Sequence, residues 1–200
     1  VAVDLPLVPA LLDHYASSGI LSDQLRADPY APNTMGFIPA EGAAAMALEV
    51  GEHDGPALLA FRSNSDACDP IGIPAGGGRI PELFEALRSK HASPVAVCPH
   101  ATGTAVQAAA DPAALSRVFI DAKPSLHLLK PFMGHSIGAS GLLESVVMAE
   151  FMRAAQLPPN LPGLHAPAGF SLPDACTTLD GPVAKLSHGM GGHNALLLMG

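Results

Sequence analysis

Three short segments of the chain combine histidine with glycine and other small residues. They read CPHATGT from Cys98 to Thr104, KPFMGHSIGASG from Lys130 to Gly141, and HGMGGHN from His188 to Asn194. Small residues let a substrate or a second backbone approach closely, and a neutral imidazole can donate a hydrogen bond to an oxygen on which negative charge develops. These first, second and third histidine segments are therefore candidates for a site that stabilises an oxyanion.

The second histidine segment immediately precedes the strongest helix prediction, which runs from Ala139 to Ala155. Two adjacent apolar stripes predict that this helix is largely buried, and they consist of Leu142, Leu143, Val146, Val147 and Phe151. The positive N-terminal end of the helix favours the neutral form of His135. Lys130 lies in apolar surroundings and needs a partner if it is buried, for which Glu144 is the natural candidate.

The second segment also matches a different catalytic motif. Residues 134–138, GHSIG, fit the G-x-S-x-G nucleophile elbow of α/β-hydrolases. An acid and a base would have to follow in that order, and the candidates are Asp174 or Asp180 and then His188 or His193. Residues 130–133, however, do not resemble a strand that leads into an elbow, which disfavours this interpretation.

A metal site and a structural role are the remaining alternatives for the histidines. A metal site would need His100, His135, His188 and His193 to converge, but the sequence has no i, i+4 histidine pair on a helix and no carboxylate beside them. A purely structural role stays open for His100 and His135, and it is the prediction for His14, His53, His91, His127 and His165. Cys98, in a predicted buried strand, is interpreted as a small core residue.

The composition excludes several classes of protein. The chain has 200 residues, of which 48% are hydrophobic and 14% charged, with a net charge of −8. Disorder is excluded by the apolar content, and the scattered cations offer no basic face for nucleic acid. No apolar run is long enough to span a membrane. The three cysteines form no C-x-x-C pair, which argues against zinc and favours a reducing cytoplasm.

The predicted elements alternate between strand and helix, which is typical of an α/β layered sandwich. The predicted strands are residues 1–4, 57–64, 94–98, 126–129, 182–186 and 195–199, and the predicted helices are 7–17, 80–91, 111–118 and 139–155. Asp111 is predicted to cap the third helix, with Pro112 at its first position. Ala43 to Val50 fits either a strand or a helix. Because the chain starts on a strand-like run, we expect it to be the C-terminal part of a longer polypeptide.

Taken together, the segments resemble the C-terminal half of β-ketoacyl-[acyl-carrier-protein] synthases, condensing enzymes of the thiolase-like fold. The first segment is similar to the family's H-G-T-G-T, and the second to K-x-x-x-G-H-x-x-G-A-x-G, with a glutamate downstream at Glu144. The third is similar to G-F-G-G-x-N, and residues 36–43, GFIPAEGA, are similar to G-F-x-x-G-E-G-A. Four motifs in one order between residues 36 and 194 are far more specific than any one of them.

The resemblance implies a thiolase-like α-β-α sandwich with a mixed sheet and a decarboxylating Claisen condensation without metal or cofactor. A cysteine accepts an acyl group, and malonyl on the phosphopantetheine of acyl carrier protein loses carbon dioxide to give the attacking enolate. His100 and His135 match the two histidines that stabilise the enolate, and Lys130 matches the lysine that holds their network. The other matching positions are Glu144 and Glu41 in supporting roles, Thr102 and Thr104 at the pantetheine arm, and Gly189, Met190 and Gly191 in the turn beside the site.

Several residues depart from the family pattern. Ala101 replaces the first glycine of H-G-T-G-T, no polar pair follows directly in residues 105–107, and Met190 stands where a gating phenylalanine is usual. His188 and His193 replace an apolar and a small residue. None of the three cysteines matches the nucleophile, which is expected upstream of Val1.

The resemblance leaves two functions open. One is an active synthase, and the other is a chain-length-factor-like subunit that lacks the cysteine and shapes a partner's tunnel. Residues 1–35 are then expected to end the N-terminal half of the fold, and residues 36–200 to form the C-terminal domain. The expected partners are acyl carrier protein and a second subunit, in a homodimer or a ketosynthase/chain-length-factor heterodimer.

Overall fold

A five-stranded sheet forms the centre of the computed structural model, which describes residues 1–51, 54–69 and 72–200. The elements are β1 (Ala2–Asp4), α1 (Pro9–Ser17), β2 (Gly42–Ala44), β3 (Leu58–Ser65), α2 (Ile80–Arg88), β4 (Ala96–Cys98), α3 (Ala105–Val118), β5 (Ser125–Leu126), α4 (Lys130–Met133), α5 (Ser140–Arg153), β6 (Gln156–Leu157), β7 (Thr177–Thr178), β8 (Val183–Gly189) and β9 (His193–Met199).

The sheet is mixed, with the strand order β3-β9-β8-β4-β5. β9 pairs antiparallel with β3 and β8, whereas β4 pairs parallel with β8 and β5. A tight turn joins β8 to β9, and Gly191 and Gly192 adopt φ values of 82° and 73° there, a region that glycine enters at little cost. The third histidine segment is this turn together with the strand ends that flank it.

Helices cover both faces of the sheet. Because successive side chains on a strand point to opposite sides, each strand contributes residues to both faces. On the α3 face, Val97, Ala184 and Leu186 pack with side chains of α2 and α3, including Leu83 and Leu115. On the α5 face, the buried cluster consists of Ala96, Cys98, Leu129, Met148, Met152, Leu157, Val183 and Met199. The result is a three-layer α-β-α sandwich, and the polar residues of β8 are divided between its two faces in the same way.

Two small antiparallel sheets lie outside this sandwich. β1 pairs with β2, and β6 pairs with β7. No residue of α1 is buried, and Val1, Val3 and Leu5 are 97%, 63% and 62% exposed. The first part of the chain thus presents an apolar surface to solvent. Within the described residues, no helix combines the length and the apolar character needed to cross a membrane.

Two sequence predictions about helices are wrong in detail. The helix predicted from Asp111 begins at Ala105, because Thr104 caps it: the Thr104 hydroxyl accepts a hydrogen bond from the Gln107 N–H at 3.4 Å. Pro112 lies inside α3, and the Asp111 side chain is buried instead of capping. The predicted apolar stripes of α5 are only half-buried, whereas its fully buried residues are Ser140, Glu144, Ser145, Met148 and Met152. Of the ambiguous run 43–50, only the start belongs to a strand, β2.

Candidate active site

His100 and His135 come together at one end of the sheet. His100 follows β4 directly, and His135 lies in the short connection between α4 and α5. Their rings meet edge to face with centroids 5.4 Å apart and an interplanar angle of 86°. Two histidines that are 35 positions apart in the sequence therefore lie side by side, as an oxyanion site built from both requires.

Local contacts hold His135 in this position. Its Nδ1 lies 2.9 Å from the hydroxyl of Ser140, the first residue of α5, and that hydroxyl also accepts the Ser136 N–H at 3.0 Å. The His135 backbone pairs with residues 38–40, through the His135 N–H to the Ile38 carbonyl at 2.8 Å and the Ala40 N–H to the His135 carbonyl at 3.1 Å. The GFIPAEGA segment thus fixes the second histidine segment.

A buried cluster of charges lies on the α5 face beside the two histidines. Lys130 Nζ is 2.8 Å from Glu144 Oε1, so the contact predicted from the sequence is present. Lys185 Nζ from β8 lies 2.9 Å from Glu144 Oε2 and also donates to the Leu186 carbonyl at 2.6 Å. All three residues are at most 3% exposed. Two ammonium groups share one carboxylate, and the cluster therefore carries a net positive charge.

Burial and these cations determine the protonation of the site. Burial lowers the pKa of His135 to about 3, with the Lys130 charge acting in the same direction. The pKa of His100 is likewise depressed well below its usual value by burial and then by Lys130. Burial also lowers the pKa of Lys130, which the attraction of Glu144 offsets only in part. For Lys185 the attraction of Glu144 outweighs burial, and the pKa is raised. Both imidazoles are thus neutral at neutral pH and lie next to fixed positive charge.

A second polar cluster lies on the α3 face and also contacts His100. Asp111 of α3, fully buried, lies 3.1 Å from Nε2 of His188, near the end of β8. The His188 ring meets the His100 ring edge to face at a centroid distance of 5.2 Å. Nδ1 of His188 lies 2.8 Å from Oδ1 of Asn194 on β9. This cluster could not be predicted from the sequence, which predicts Asp111 to cap a helix rather than to lie inside one.

The other predicted site residues lie at varying distances from this centre. Thr102 is buried in the loop after His100, and Thr104 caps α3. Gly189 and Met190 are exposed in the β8–β9 turn, where Met190 is 67% exposed, and Gly191 is half-buried. Glu41 is exposed, and its carboxylate accepts the Leu7 N–H at 3.3 Å. The structure therefore brings Lys130, Glu144 and the two histidines together but leaves Glu41 at the surface.

The alternatives to an oxyanion site fit the geometry poorly. The Ser136 hydroxyl, the nucleophile of an elbow, lies 3.3 Å from the Ser140 hydroxyl rather than beside a base. Burial raises the pKa of Cys98 to about 12, so this thiol stays protonated. In the part of the chain that the structure describes, no three His, Cys, Asp or Glu side chains are grouped as metal ligands.

Comparison with known proteins decides the family. The description "Beta-ketoacyl synthase, C-terminal domain" matches residues 58–163, more than half of the chain. The chain belongs to the β-ketoacyl synthase family. It is 28% identical over 157 residues to 3-oxoacyl-[acyl-carrier-protein] synthase 1 of Escherichia coli (strain K12), an alignment that covers 76% of this chain and 38% of the relative. The resemblance stated from the motifs is thereby confirmed.

Solved structures of ketosynthases share the fold. A β-ketoacyl synthase from Burkholderia phymatum STM815 superposes with a TM-score of 0.82 at 22% identity, covering 98% of this chain and 53% of that one. A chain of the ishigamide ketosynthase/chain length factor gives 0.81 at 20% identity, covering 99% and 52%. The chain thus spans about half the length of these ketosynthase chains and 38% of the Escherichia coli relative. The prediction of a thiolase-like α-β-α sandwich is confirmed.

The contacts of four residues could not be predicted from the sequence, each for an identifiable reason. Lys185 is a lone cation within an apolar strand pattern, and only the α5 face of β8 gives it a partner. Asp111 and His188 are 77 residues apart and meet only because α3 crosses the end of β8. Ser140 was part of the second segment, and its position five residues after His135 at a helix start was the signal that could have revealed its contact.

Proposed function

We propose that this chain supplies the enolate-stabilising part of a β-ketoacyl-[acyl-carrier-protein] synthase, an acyltransferase that condenses an acyl thioester with a decarboxylated malonyl thioester. The observation that carries the proposal is the pair His100, half-buried, and His135, buried, two imidazoles 5.4 Å apart whose pKa values are both depressed. Neutral imidazoles beside fixed positive charge are suited to stabilising an oxyanion that forms during the reaction. Membership of the synthase family supports the same function.

In the proposed reaction the bond between the malonyl carboxylate and Cα breaks. Carbon dioxide leaves, and the electron pair becomes an enolate whose oxygen carries the negative charge. Ser140 Oγ and His135 Nδ1 lie 2.9 Å apart, and we assign the hydroxyl as the donor, which leaves the ring proton on Nε2 for that oxygen. His100 supplies the second donor. Removal of one such donor costs about 2.7–4 kcal/mol of transition-state stabilisation. Lys130 acts through its charge, and Glu144 keeps it in place.

The remaining predicted residues form the approach to this centre. Thr102 and Thr104 are proposed to contact the pantetheine arm, because their loop leaves His100 at the end of β4. The turn formed by Gly189, Met190 and Gly191 is proposed to border the acyl chain, with the flexible and exposed Met190 as a loose gate. Glu41 is proposed to support the site indirectly, since the neighbouring residues 38–40 pair with His135.

The acyl-accepting cysteine is proposed to lie in an N-terminal half of the fold, outside residues 1–200. Residues 1–35 would end that half and residues 36–200 would form the C-terminal domain. The exposed apolar surface around Val3 would pack against the rest of that half. The proposed partners are acyl carrier protein and a second copy of the subunit, in the reducing cytoplasm that the free cysteines favour.

A chain-length-factor-like subunit is the second candidate, and Ala101 favours it. Ala101 adopts a φ of 43°, the left-handed region that favours the glycine found in the H-G-T-G-T motif. A subunit that only shapes its partner's tunnel would tolerate such a departure and the exchange at Met190. It would have no need, however, for two neutral histidines beside a cationic cluster.

Malonyl decarboxylation by the complete protein tests both candidates. We expect His100→Ala and His135→Ala each to slow the conversion of malonyl-[acyl-carrier-protein] to the acetyl form by about 10²–10³-fold. His91→Gln, after α2, is the matched control and should retain the wild-type rate. The chain-length-factor function would be favoured by a different result. The complete protein alone would then not decarboxylate malonyl-[acyl-carrier-protein], a ketosynthase partner would need it for activity, and that activity would be unchanged in both histidine variants.

A further inference from the structure

The hydrogen bonds of Asp111 identify it as a buried carboxylate. Its two oxygens receive donors from four directions: Oδ2 from the Ala101 N–H at 2.8 Å and the Tyr30 hydroxyl at 3.1 Å, and Oδ1 from Gln107 Nε2 at 2.5 Å and His188 at 3.1 Å. An ionised carboxylate accepts four such bonds, whereas a protonated one would have to give one up. A fully buried charge also requires a counter-charge.

The hydrogen bonds of His188 require a proton on each ring nitrogen. Nε2 faces the Asp111 carboxylate, which only accepts. Nδ1 faces the side-chain amide of Asn194, whose Nδ2 lies 2.9 Å from Asp66 Oδ2 and 3.1 Å from Asn64 Oδ1. Because the Asp66 carboxylate also only accepts, the NH₂ of Asn194 must point to it and Oδ1 to His188. An acceptor therefore faces each nitrogen of His188, and only the imidazolium satisfies both.

This imidazolium lies directly against a proposed catalytic residue. The His188 side chain is 6% exposed, and its ring meets the His100 ring at 5.2 Å and 83°. His100 thus contacts two rings that are nearly perpendicular to it, His135 and His188. The charge on His188 is one cause of the depressed pKa of His100.

We propose that His188, paired with Asp111, is an imidazolium that positions His100 and keeps it in the neutral, donating state. The inference rests on the proposed function, since it gives His188 a task in the enolate step. His188 contributes positive potential at the oxyanion from the α3 face of the sheet, and the two lysines contribute it from the α5 face. It does not transfer a proton and does not itself touch the enolate, so it is a positioning residue.

The polar and titratable groups that surround His188 come from several elements. They are Asp111 of α3 with Tyr30 behind it, His100 after β4, and Asn194 of β9 with Asp66 behind it. Two carboxylates favour the charged ring, and the neutral His100 ring packs against it.

The experiment is ¹⁵N NMR of the imidazole rings in the complete protein, with signals assigned by comparison with His188→Gln and His100→Gln. We expect the His188 ring to show two protonated nitrogens at pH 7.5, and Asp111→Asn to convert it to a neutral tautomer. In His188→Gln, the pKa of His100 should rise, because a neighbouring positive charge is gone. A neutral His188 ring in the wild type, or an unchanged His100 titration, would overturn the inference.

A rate measurement then separates this inference from the proposed function. In the decarboxylation assay we expect His188→Gln to lower kcat about tenfold with KM for malonyl-[acyl-carrier-protein] unchanged, and His193→Gln, at the exposed end of the same turn, to stay within about twofold. An unchanged kcat in His188→Gln would overturn the positioning role. A wild-type protein without decarboxylation would overturn the proposed function instead, while the NMR result would still decide the state of His188.

Discussion

The two faces of the central sheet carry charge toward the same histidine pair in different ways. On the α5 face, two lysines share the Glu144 carboxylate, so positive charge is in excess. On the α3 face, His188 and Asp111 are matched one to one, and uncharged donors complete the carboxylate. β8 supplies a cation to each face, because Lys185 and His188 occupy positions of opposite parity on one strand.

The two clusters differ in how easily their cations can lose a proton. A free lysine ammonium has a reference pKa of about 10.4, and neutralising it at pH 7 costs about 4–5 kcal/mol. The attraction of Glu144 raises the pKa of Lys185 further, whereas burial lowers that of Lys130. A histidine with a reference pKa of about 6.5 loses its proton at pH 7 at almost no cost. The α5 face is therefore a fixed source of charge, whereas the α3 face depends on its carboxylate to keep a charge at all.

The largest effect that separates the faces is expected from removal of each carboxylate. Glu144→Gln leaves two buried ammonium groups without a counter-charge, and we expect the free energy of unfolding to fall by about 3–5 kcal/mol. Asp111→Asn should cost about 1–3 kcal/mol, because His188 can become neutral and only hydrogen bonds are weakened. Urea denaturation at pH 7 of the complete protein measures both.

Glu150→Gln is the matched control for this comparison. Glu150 lies on the same helix as Glu144, but it forms an exposed pair with Arg153 at 3.2 Å and should contribute at most about 1 kcal/mol. If Asp111→Asn destabilised the protein as much as Glu144→Gln, the α3 face would be as rigidly charged as the α5 face and the distinction drawn above would be wrong.

The sequence could predict the α5 face better than the α3 face for a physical reason. Lys130, His135 and Glu144 surround the start of one helix, so their proximity follows from short spacing and helix geometry alone. Asp111 and His188 meet through tertiary packing, and their contact depends on where α3 begins. The Asp111-Pro112 pair predicts a helix start, whereas Thr104 caps the helix about two turns earlier in the chain.

The edges of the fold show a similar limit. Strand and helix predictions around β4, α2, β8 and β9 agree with the structure because the three strands are packed inside the sheet and α2 is strongly amphipathic. The prediction for β3 also agrees, although this edge strand has no buried residue. The apolar stripes of α5 predicted a buried helix, but Leu142 and Val146 are half-buried. A hydrophobic pattern records what a helix face is suited to contact, and it does not say whether the contact lies within this chain.

The next largest effect is a dependence of stability on pH that His135 brings to the site. Its pKa falls from about 6.5 in the unfolded chain to about 3 in the folded protein. Between these values the unfolded chain binds the proton and the folded protein does not, so stability decreases as the pH falls. The slope should be about 1.4 kcal/mol per pH unit for this one group, and stability is fully present above pH 6.5.

Unfolding by urea between pH 7 and pH 5 measures this slope. His135→Phe should remove the contribution of His135, because a phenyl ring of similar size binds no proton. His165→Gln is the control, since its partly exposed pair with Asp28 lies outside the site. An identical slope in His135→Phe and the wild type would show that His135 is not held neutral beside the α5-face cations.

The smallest effect on the free energy of unfolding is expected from a change at Ala101, whose backbone contacts the α3-face cluster. Ala101 donates its N–H to Asp111 while it holds a φ of 43°, and a left-handed conformation costs a residue with a side chain about 1–2 kcal/mol. Ala101→Gly relieves this strain but loses a buried methyl group worth about 0.8 kcal/mol and adds freedom to the unfolded chain. We expect a net change within about 1 kcal/mol.

Ala155→Gly sharpens this last comparison, because Ala155 has a φ of 53° but an exposed side chain after α5. With little burial to lose, it should stabilise the protein more than Ala101→Gly does, as measured by the urea midpoint. If Ala101→Gly were instead the more stabilising of the two, the strain at Ala101 would exceed that of an ordinary left-handed alanine. The hydrogen bond from the Ala101 N–H to Asp111 would then offset a larger backbone strain. The α3-face cluster would therefore stabilise this conformation by more than a hydrogen bond from a neutral donor usually does.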